Sequence, residues 1–166
     1  MQPDLSTFIK LDELGFKVEL TAGLTTLELS PMAGHQDAID AIRSSIRLIQ
    51  GSSLTCACVH KSDVYIRFTD GSLKRPDISV FCRQPDEVWT PITLLPEAVI
   101  EVISEGYESK DLELNPPFYL SNGVKDILIF DPRSKIILHH RKEWTEPKQF
   151  SSPVRFELEC GCEVTI

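Results

Sequence analysis

Apolar and polar positions alternate with different periods along the 166 residues, and each change of period marks an element. Residues Thr7 to Leu14 suit a short leading helix. Lys17 to Leu20 and Thr25 to Leu29 then read as two strands joined at Gly23, most simply a hairpin. After the turn at Ser30-Pro31-Met32-Ala33-Gly34, Ile39, Ile42, Ile46 and Ile49 recur at three- and four-residue steps, with Asp37, Asp40, Arg43, Ser44 and Arg47 between them. That spacing predicts an amphipathic helix ending near Gly51.

Strand-like stretches follow over Leu54 to Val59, Val64 to Phe68 and, beyond the Asp70-Gly71 turn, Pro76 to Phe81. Proline is acceptable as the first residue of such a strand. A proline-interrupted loop from Gln84 to Pro96 leads to Ala98-Val99-Ile100-Glu101-Val102-Ile103-Ser104, a β-branched run of the kind found in strands covered on both faces. In the polar connection Lys110 to Asn122, Pro116 and Pro117 confine any helix to start there, and Gly123 suits its end. Asp126 to Asp131 and Lys135 to His140 predict two strands around an Asp131-Pro132-Arg133-Ser134 turn, and Trp144 to Ile166 is expected to add a hairpin.

Composition narrows the class. The length suits one well-buried core, so residues 1–166 are expected to form a single domain. Apolar residues make up 42% and charged residues 25%, with no low-complexity tract, which excludes wholesale disorder. Apolar runs fall far short of the roughly 20 residues that span a bilayer. The first residues show neither a basic leader nor a cleavage site, so a cytoplasmic location is the default expectation, with no membrane partner. A net charge of −8 opposes broad attraction to a phosphate backbone, and any nucleic-acid reading has to overcome it. The odd count of five cysteines, in two Cys-x-Cys pairs and a singleton, argues for reduced thiols over a disulfide framework. The pairs lack the Cys-x-x-Cys spacing of common zinc knuckles, although a strand would place both sulfurs of a pair on one face.

Candidate chemistry centres on Glu101, alone in its β-branched run. An ionised glutamate buried there costs several kcal/mol unless something compensates it. Metal coordination would do so, with Asp77 at the head of a neighbouring strand as second ligand for a hard cation such as Mg²⁺. Two such carboxylates can activate a water against a phosphodiester. A salt bridge to Glu101, with Asp77 as a turn cap, is the alternative reading.

The ordered series Arg75-Pro76-Asp77-Ile78-Ser79-Val80, Val99-Ile100-Glu101-Val102-Ile103-Ser104, Asp111, Tyr119, Gly123-Val124 and Ile127-Leu128-Ile129-Phe130-Asp131-Pro132 resembles the Uma-type endonuclease family of the PD-(D/E)XK nuclease superfamily. Leu27-Glu28-Leu29-Ser30-Pro31 and Gly34-His35 fit its N-terminal part, so the resemblance spans roughly residues 10 to 142. It implies an α/β (α+β) restriction-endonuclease-like core, a central mixed sheet flanked by helices. It also implies Asp77 and Glu101 as Mg²⁺ or Mn²⁺ ligands, a lysine that positions or deprotonates the attacking water, DNA as substrate, and a homodimer. Ile103 stands where the superfamily usually has that lysine, and Asn115 where relatives of this type carry it on the following helix. Lys110 is the nearest substitute and the catalytic candidate, with Glu28 as a further metal ligand and His35 and Asn115 as accessory residues. His60, His139 and His140 have no metal spacing, and Trp89 and Trp144 read as packing or interface residues. Missing motifs disfavour acyl transfer, redox chemistry and glycine-loop nucleotide binding. Two other classes stay open: a nuclease-fold interaction module that has lost catalysis with its lysine, and a zinc protein built on the cysteines.

Overall fold

The computed structural model describes residues 5–166, without the side chain of Leu5. Residues 1–4, on which the leader reading partly rests, lie outside the described residues.

Among the described residues, three α-helices, one π-helical turn and thirteen strands are formed. The β-branched run becomes β8 (Ala98–Val102), buried at every position because it is the interior strand of a six-stranded mixed sheet. Its antiparallel neighbour is β7 (Ile78–Phe81), with Ile78 opposite Ile100. Its parallel neighbour is β9 (Asp126–Asp131), with Glu101 opposite Ile129. Beyond these lie β4 (Val59–Lys61) on one side and β10 (Ile136–Arg141) and β11 (Lys148–Ser151) on the other. The parallel β8–β9 pair requires a crossover, supplied by a π-helical turn (Lys110–Leu114) running into α3 (Asn115–Ser121). Pro116 and Pro117 sit in the first turn of α3, and Gly123, at φ 93°, ends it in a conformation that other residues seldom adopt.

A second sheet carries the front of the site. The expected hairpin forms from β1 (Phe16–Thr21) and β2 (Leu24–Leu29), Phe16 opposite Leu29, and joins the short strands β6 (Leu73–Lys74) and β5 (Ile66–Arg67). Helix α1 (Leu5–Glu13) covers it through Phe8, packed on Val18, Leu20 and Leu73. Helix α2 (Ala33–Ser45) lays Ile39 and Ile42 on the Ile78, Ile100 and Val102 face of the main sheet, while Phe118 and Tyr119 cover the Val99, Ile103 and Ile127 face.

Two element expectations are corrected. Helix α2 ends at Ser45, not near Gly51, because Arg47–Leu48 forms β3 against β13 (Cys162–Thr165), where the Arg47 Nε lies 2.6 Å from Glu163. Strand pairing thus overrides a helical period that Ile46 and Ile49 continue. Of the strand expected over Leu54 to Val59 only Val59 is in a strand, because the backbone of residues 52–58 turns inward and buries Cys56 and Cys58. The tail gives β12 (Arg155–Glu157) and β13, antiparallel as expected. The expectation of reduced thiols is also corrected: Cys56 joins Cys82 and Cys58 joins Cys162, leaving Cys160 free. Trp89 is 93% exposed and does not pack in the core. Among the described residues no helix is long and apolar enough to cross a membrane.

A polar knot pins the sheet to the tail. Asp126, buried at the start of β9, accepts hydrogen bonds from Arg141 Nε (2.6 Å) and the Glu159 backbone N–H (2.7 Å), and its Oδ1 lies 2.7 Å from His139 Nε2. Burial works to raise its pKa, but His139, the Glu159 amide and Arg141 outweigh it and hold the carboxyl below its ordinary value. With the folded pKa depressed, the stabilisation is present above the unfolded value near 3.9 and is lost as pH falls through the folded one. Asp126→Asn should therefore cost about 2–4 kcal/mol at pH 7, and the gap to wild type should shrink below about pH 4. Urea unfolding across that range checks it; a gap constant with pH rules the account out.

Candidate active site

Local structure explains how charged groups come to be buried together. Asp77 follows Pro76, immediately before β7, and β8 runs alongside, so the two candidate carboxylates meet where the strands pair. The Asp77 backbone N–H donates to Glu101 Oε2 (3.1 Å), and the Val102 N–H donates to Asp77 Oδ2 (2.8 Å). Strand alternation turns Glu101 toward the α3 face, where Tyr119 Oη and Asn115 Nδ2 donate to its Oε1 at 2.9 and 3.1 Å. Every donor to Glu101 is neutral.

Asp77 is held differently. Lys17 of β1 places its ammonium 2.9 Å from Oδ1, and His35, in the first turn of α2, brings Nε2 to 3.3 Å from Oδ2 and 2.8 Å from the Val102 carbonyl. Behind this pair lies a second layer. Glu19, two residues along β1 and so on the same strand face as Lys17, takes Lys74 at 2.9 Å, Lys110 at 3.2 Å and the Arg75 N–H at 2.6 Å. Lys74 is fully buried and also donates to Thr21 Oγ1 and Asn115 Oδ1, at 3.1 and 2.8 Å. Lys110 pairs with Glu28 and lies 3.4 Å from Asp111.

Five carboxylates therefore surround three ammonium groups, and the surplus shows in their ionisation. Burial raises the Glu101 pKa well above the ordinary carboxylate value, and the nearby Asp77 charge adds to the rise, against the opposing pull of Lys17. Burial also moves Asp111 up to about 6 despite Lys110. For Asp77 burial acts upward too, but Lys17, His35 and the Val102 amide prevail and keep it low. Environment thus pushes the two central acids apart, Asp77 toward the ionised form and Glu101 toward the protonated one.

The sequence-derived candidates divide accordingly. Asp77 and Glu101 are brought together. Asn115 touches Glu101, and His35 touches Asp77. Lys110 is not brought to the pair: its ammonium sits among Glu19, Glu28 and Asp111. Glu28 shares with Asp77, Lys17 and His35 the walls of a cavity of about 20 Å³, enough for one water, but its carboxylate is turned to Lys110. Among the described residues, no three Asp, Glu or His ligand atoms here lie within 4.8 Å of one another. Sequence reasoning missed Lys17, Glu19 and Lys74. For Lys17 and Glu19 the one signal is a Lys-x-Glu on one face of a strand, alternating with apolar Val18 and Leu20, and Lys74 has none.

The comparisons agree with this architecture. A crystal structure at 1.96 Å resolution of a putative nuclease belonging to DUF820, from Anabaena variabilis ATCC 29413, superimposes with a TM-score of 0.65 at 22% identity. The match covers 92% of this chain and 86% of that one. No curated protein matches. The model of the Uma2 family, described as "Putative restriction endonuclease", matches residues 5–163, and the chain belongs to that family.

Proposed function

We propose that this protein is a metal-dependent endonuclease that hydrolyses DNA phosphodiester bonds at the Asp77–Glu101 pair. The observation that carries the reading is the acid surplus: Glu101 lies buried beside Asp77, receives only neutral donors, and lacks a counter-charge of its own. A divalent cation is the natural missing charge. The donor set is all oxygen and suits Mg²⁺ or Mn²⁺, since Mg²⁺ is commonly held by one or two carboxylates with waters completing its shell. Asp77 and Glu101 would hold it, with Glu28 on the cavity wall as the third acid. Bound there, the ion would polarise a phosphoryl oxygen and lower the pKa of a water.

The chain's own residues do the rest. Tyr119 and Asn115 fix the Glu101 carboxylate from the α3 side, and His35 ties the start of α2 to the β8 backbone. Lys17 takes the place sought for Lys110: it borders the cavity, stays protonated against Asp77, and can donate to a water or a phosphate oxygen. Cutting both strands takes two such sites, which is the reason to expect a homodimer. Nicking of supercoiled plasmid with Mg²⁺ or Mn²⁺, and its loss in Asp77→Ala, tests the reading. Mg²⁺ at about 100 times its Kd should stabilise the wild type by about 2.7 kcal/mol, or about 5–10 °C in Tm, and leave Asp77→Ala unmoved.

A second reading has its own observation. The Lys17 ammonium already neutralises Asp77, and the cavity has room for one water but not for a hydrated ion. A nuclease fold kept only as an interaction module would look like this. It predicts no Mg²⁺ shift and no nicking of any DNA form.

A further inference from the structure

The five cysteines fall together on the side of the main sheet away from Glu101. Glu101 shares its face of β8 with Val99 and Ile103, whereas Cys56, Cys58, Cys160 and Cys162 pack with Ile100 and Val102 on the other, and Cys82 packs against them. Long-range pairing brings them there. Strand β13 carries Cys162 opposite Leu48 of β3, and the inward segment 52–58 is tied to the end of β7 by Ala57 N–H donating to the Cys82 carbonyl (2.9 Å). Gly161, at φ 87°, forms the turn between Cys160 and Cys162, and a Cβ there would come within 2.9 Å of Leu54. Cys58 itself has φ 48°, a left-handed conformation that a cysteine adopts only where its surroundings hold it.

The sulfurs of Cys56, Cys58 and Cys162 all lie within 4.8 Å of one another, as do those of Cys56, Cys82 and Cys160. Cys56 and Cys162, which belong to different disulfides, are 3.4 Å apart. Thiolates around a tetrahedral zinc, with Zn–S near 2.3 Å, stand about 3.8 Å from each other. Three sulfurs, those of Cys56, Cys58 and Cys162, thus already cluster within reach of a single soft cation, and Cys82 is joined to Cys56 as the fourth.

We propose that, once a thiol or phosphine reductant has supplied two electrons to each disulfide, Cys56, Cys58, Cys82 and Cys162 form a tetrathiolate site for one zinc ion, with Cys160 outside the coordination shell. The site is structural: three of its four ligands are buried, all four positions are filled by protein, and it lies on the opposite face of the sheet from the Asp77–Glu101 pair. It links the segment after β3, the end of β7 and β13, which little regular hydrogen bonding otherwise joins. Because the ligands bind as thiolates, zinc uptake releases protons and weakens as pH falls.

The test uses the full chain, reduced with a phosphine and titrated with Zn²⁺ or Co²⁺. Native mass spectrometry should count one zinc per chain, and Co²⁺ should give sulfur-to-cobalt charge-transfer absorption that Zn²⁺ displaces. Cys160→Ser and Asp77→Ala should keep both signals; Cys58→Ser and Cys162→Ser should lose them. Should those variants fail to fold, a mercurial thiol reagent on the wild type decides, four equivalents being expected to release one zinc. No metal uptake by the reduced wild type, cobalt without charge-transfer absorption, or zinc released by fewer thiols would each overturn the site. So would binding that survives in folded Cys58→Ser but not in Asp77→Ala.

Discussion

Lys17→Ala is expected to lower kcat for DNA cleavage by about 10² to 10⁴, the range for loss of a group that positions or activates the nucleophile. Asp77→Ala should remove cleavage and Mg²⁺ stabilisation together. The two differ in a way that separates catalysis from metal binding. Lys17 is a cation 2.9 Å from a carboxylate that the proposed function gives to the metal, so its removal leaves the pair more negative. Lys17→Ala should then bind Mg²⁺ at least as tightly as wild type while cleaving far more slowly. Lys110→Ala should behave otherwise, since that ammonium neutralises Glu19 and Glu28 and does not touch the pair. Its effect should fall on stability, with kcat lowered by less than in Lys17→Ala. A folded Lys110→Ala that loses activity while Lys17→Ala keeps it would reverse the assignment.

What the sequence shows of this site follows from how each residue is flanked. Glu101 is conspicuous because a carboxylate in the continuous apolar run of an interior strand has no solvent-facing explanation, and Asp77 because it heads the neighbouring interior strand. Lys17 and Glu19 are hidden by the opposite circumstance. They alternate with Val18 and Leu20, the ordinary pattern of a strand with one wet face, and only packing against β6 and the crossover makes that face dry. Lys74 has no pattern around it, since β6 is two residues long. The cysteine cluster is only partly legible, for a related reason. Its two Cys-x-Cys pairs lie about a hundred residues apart and meet only through the β3–β13 pairing, which also cut short the helix that the isoleucine spacing predicts.

Glu19→Ala should be the most destabilising substitution in the site, by about 3–5 kcal/mol, and more so than Lys74→Met. Both residues are buried and face each other at 2.9 Å, so the asymmetry lies in what each leaves behind. Without Glu19, Lys74 keeps only Thr21 Oγ1, Asn115 Oδ1 and the ring faces of Phe118 and Tyr119, about 5.7 Å from its ammonium. None of these is an anion, and a buried ammonium without one is the costly arrangement. Without Lys74, Glu19 retains Lys110 at 3.2 Å and the Arg75 amide at 2.6 Å, and Met fills much of the vacated volume. Burial pushes the Glu19 carboxyl up, yet Lys74, Lys110, Lys17 and the Arg75 amide prevail and hold it far below its ordinary value, so it is ionised and the pairing is between full charges. The double variant Glu19→Ala with Lys74→Met removes both charges and should be more stable than Glu19→Ala alone. Chemical unfolding of the four proteins at pH 7 gives the cycle directly. A Glu19→Ala cost below about 1 kcal/mol, the usual size of an exposed pair, would mean that water reaches Lys74 and that this layer of the site is open.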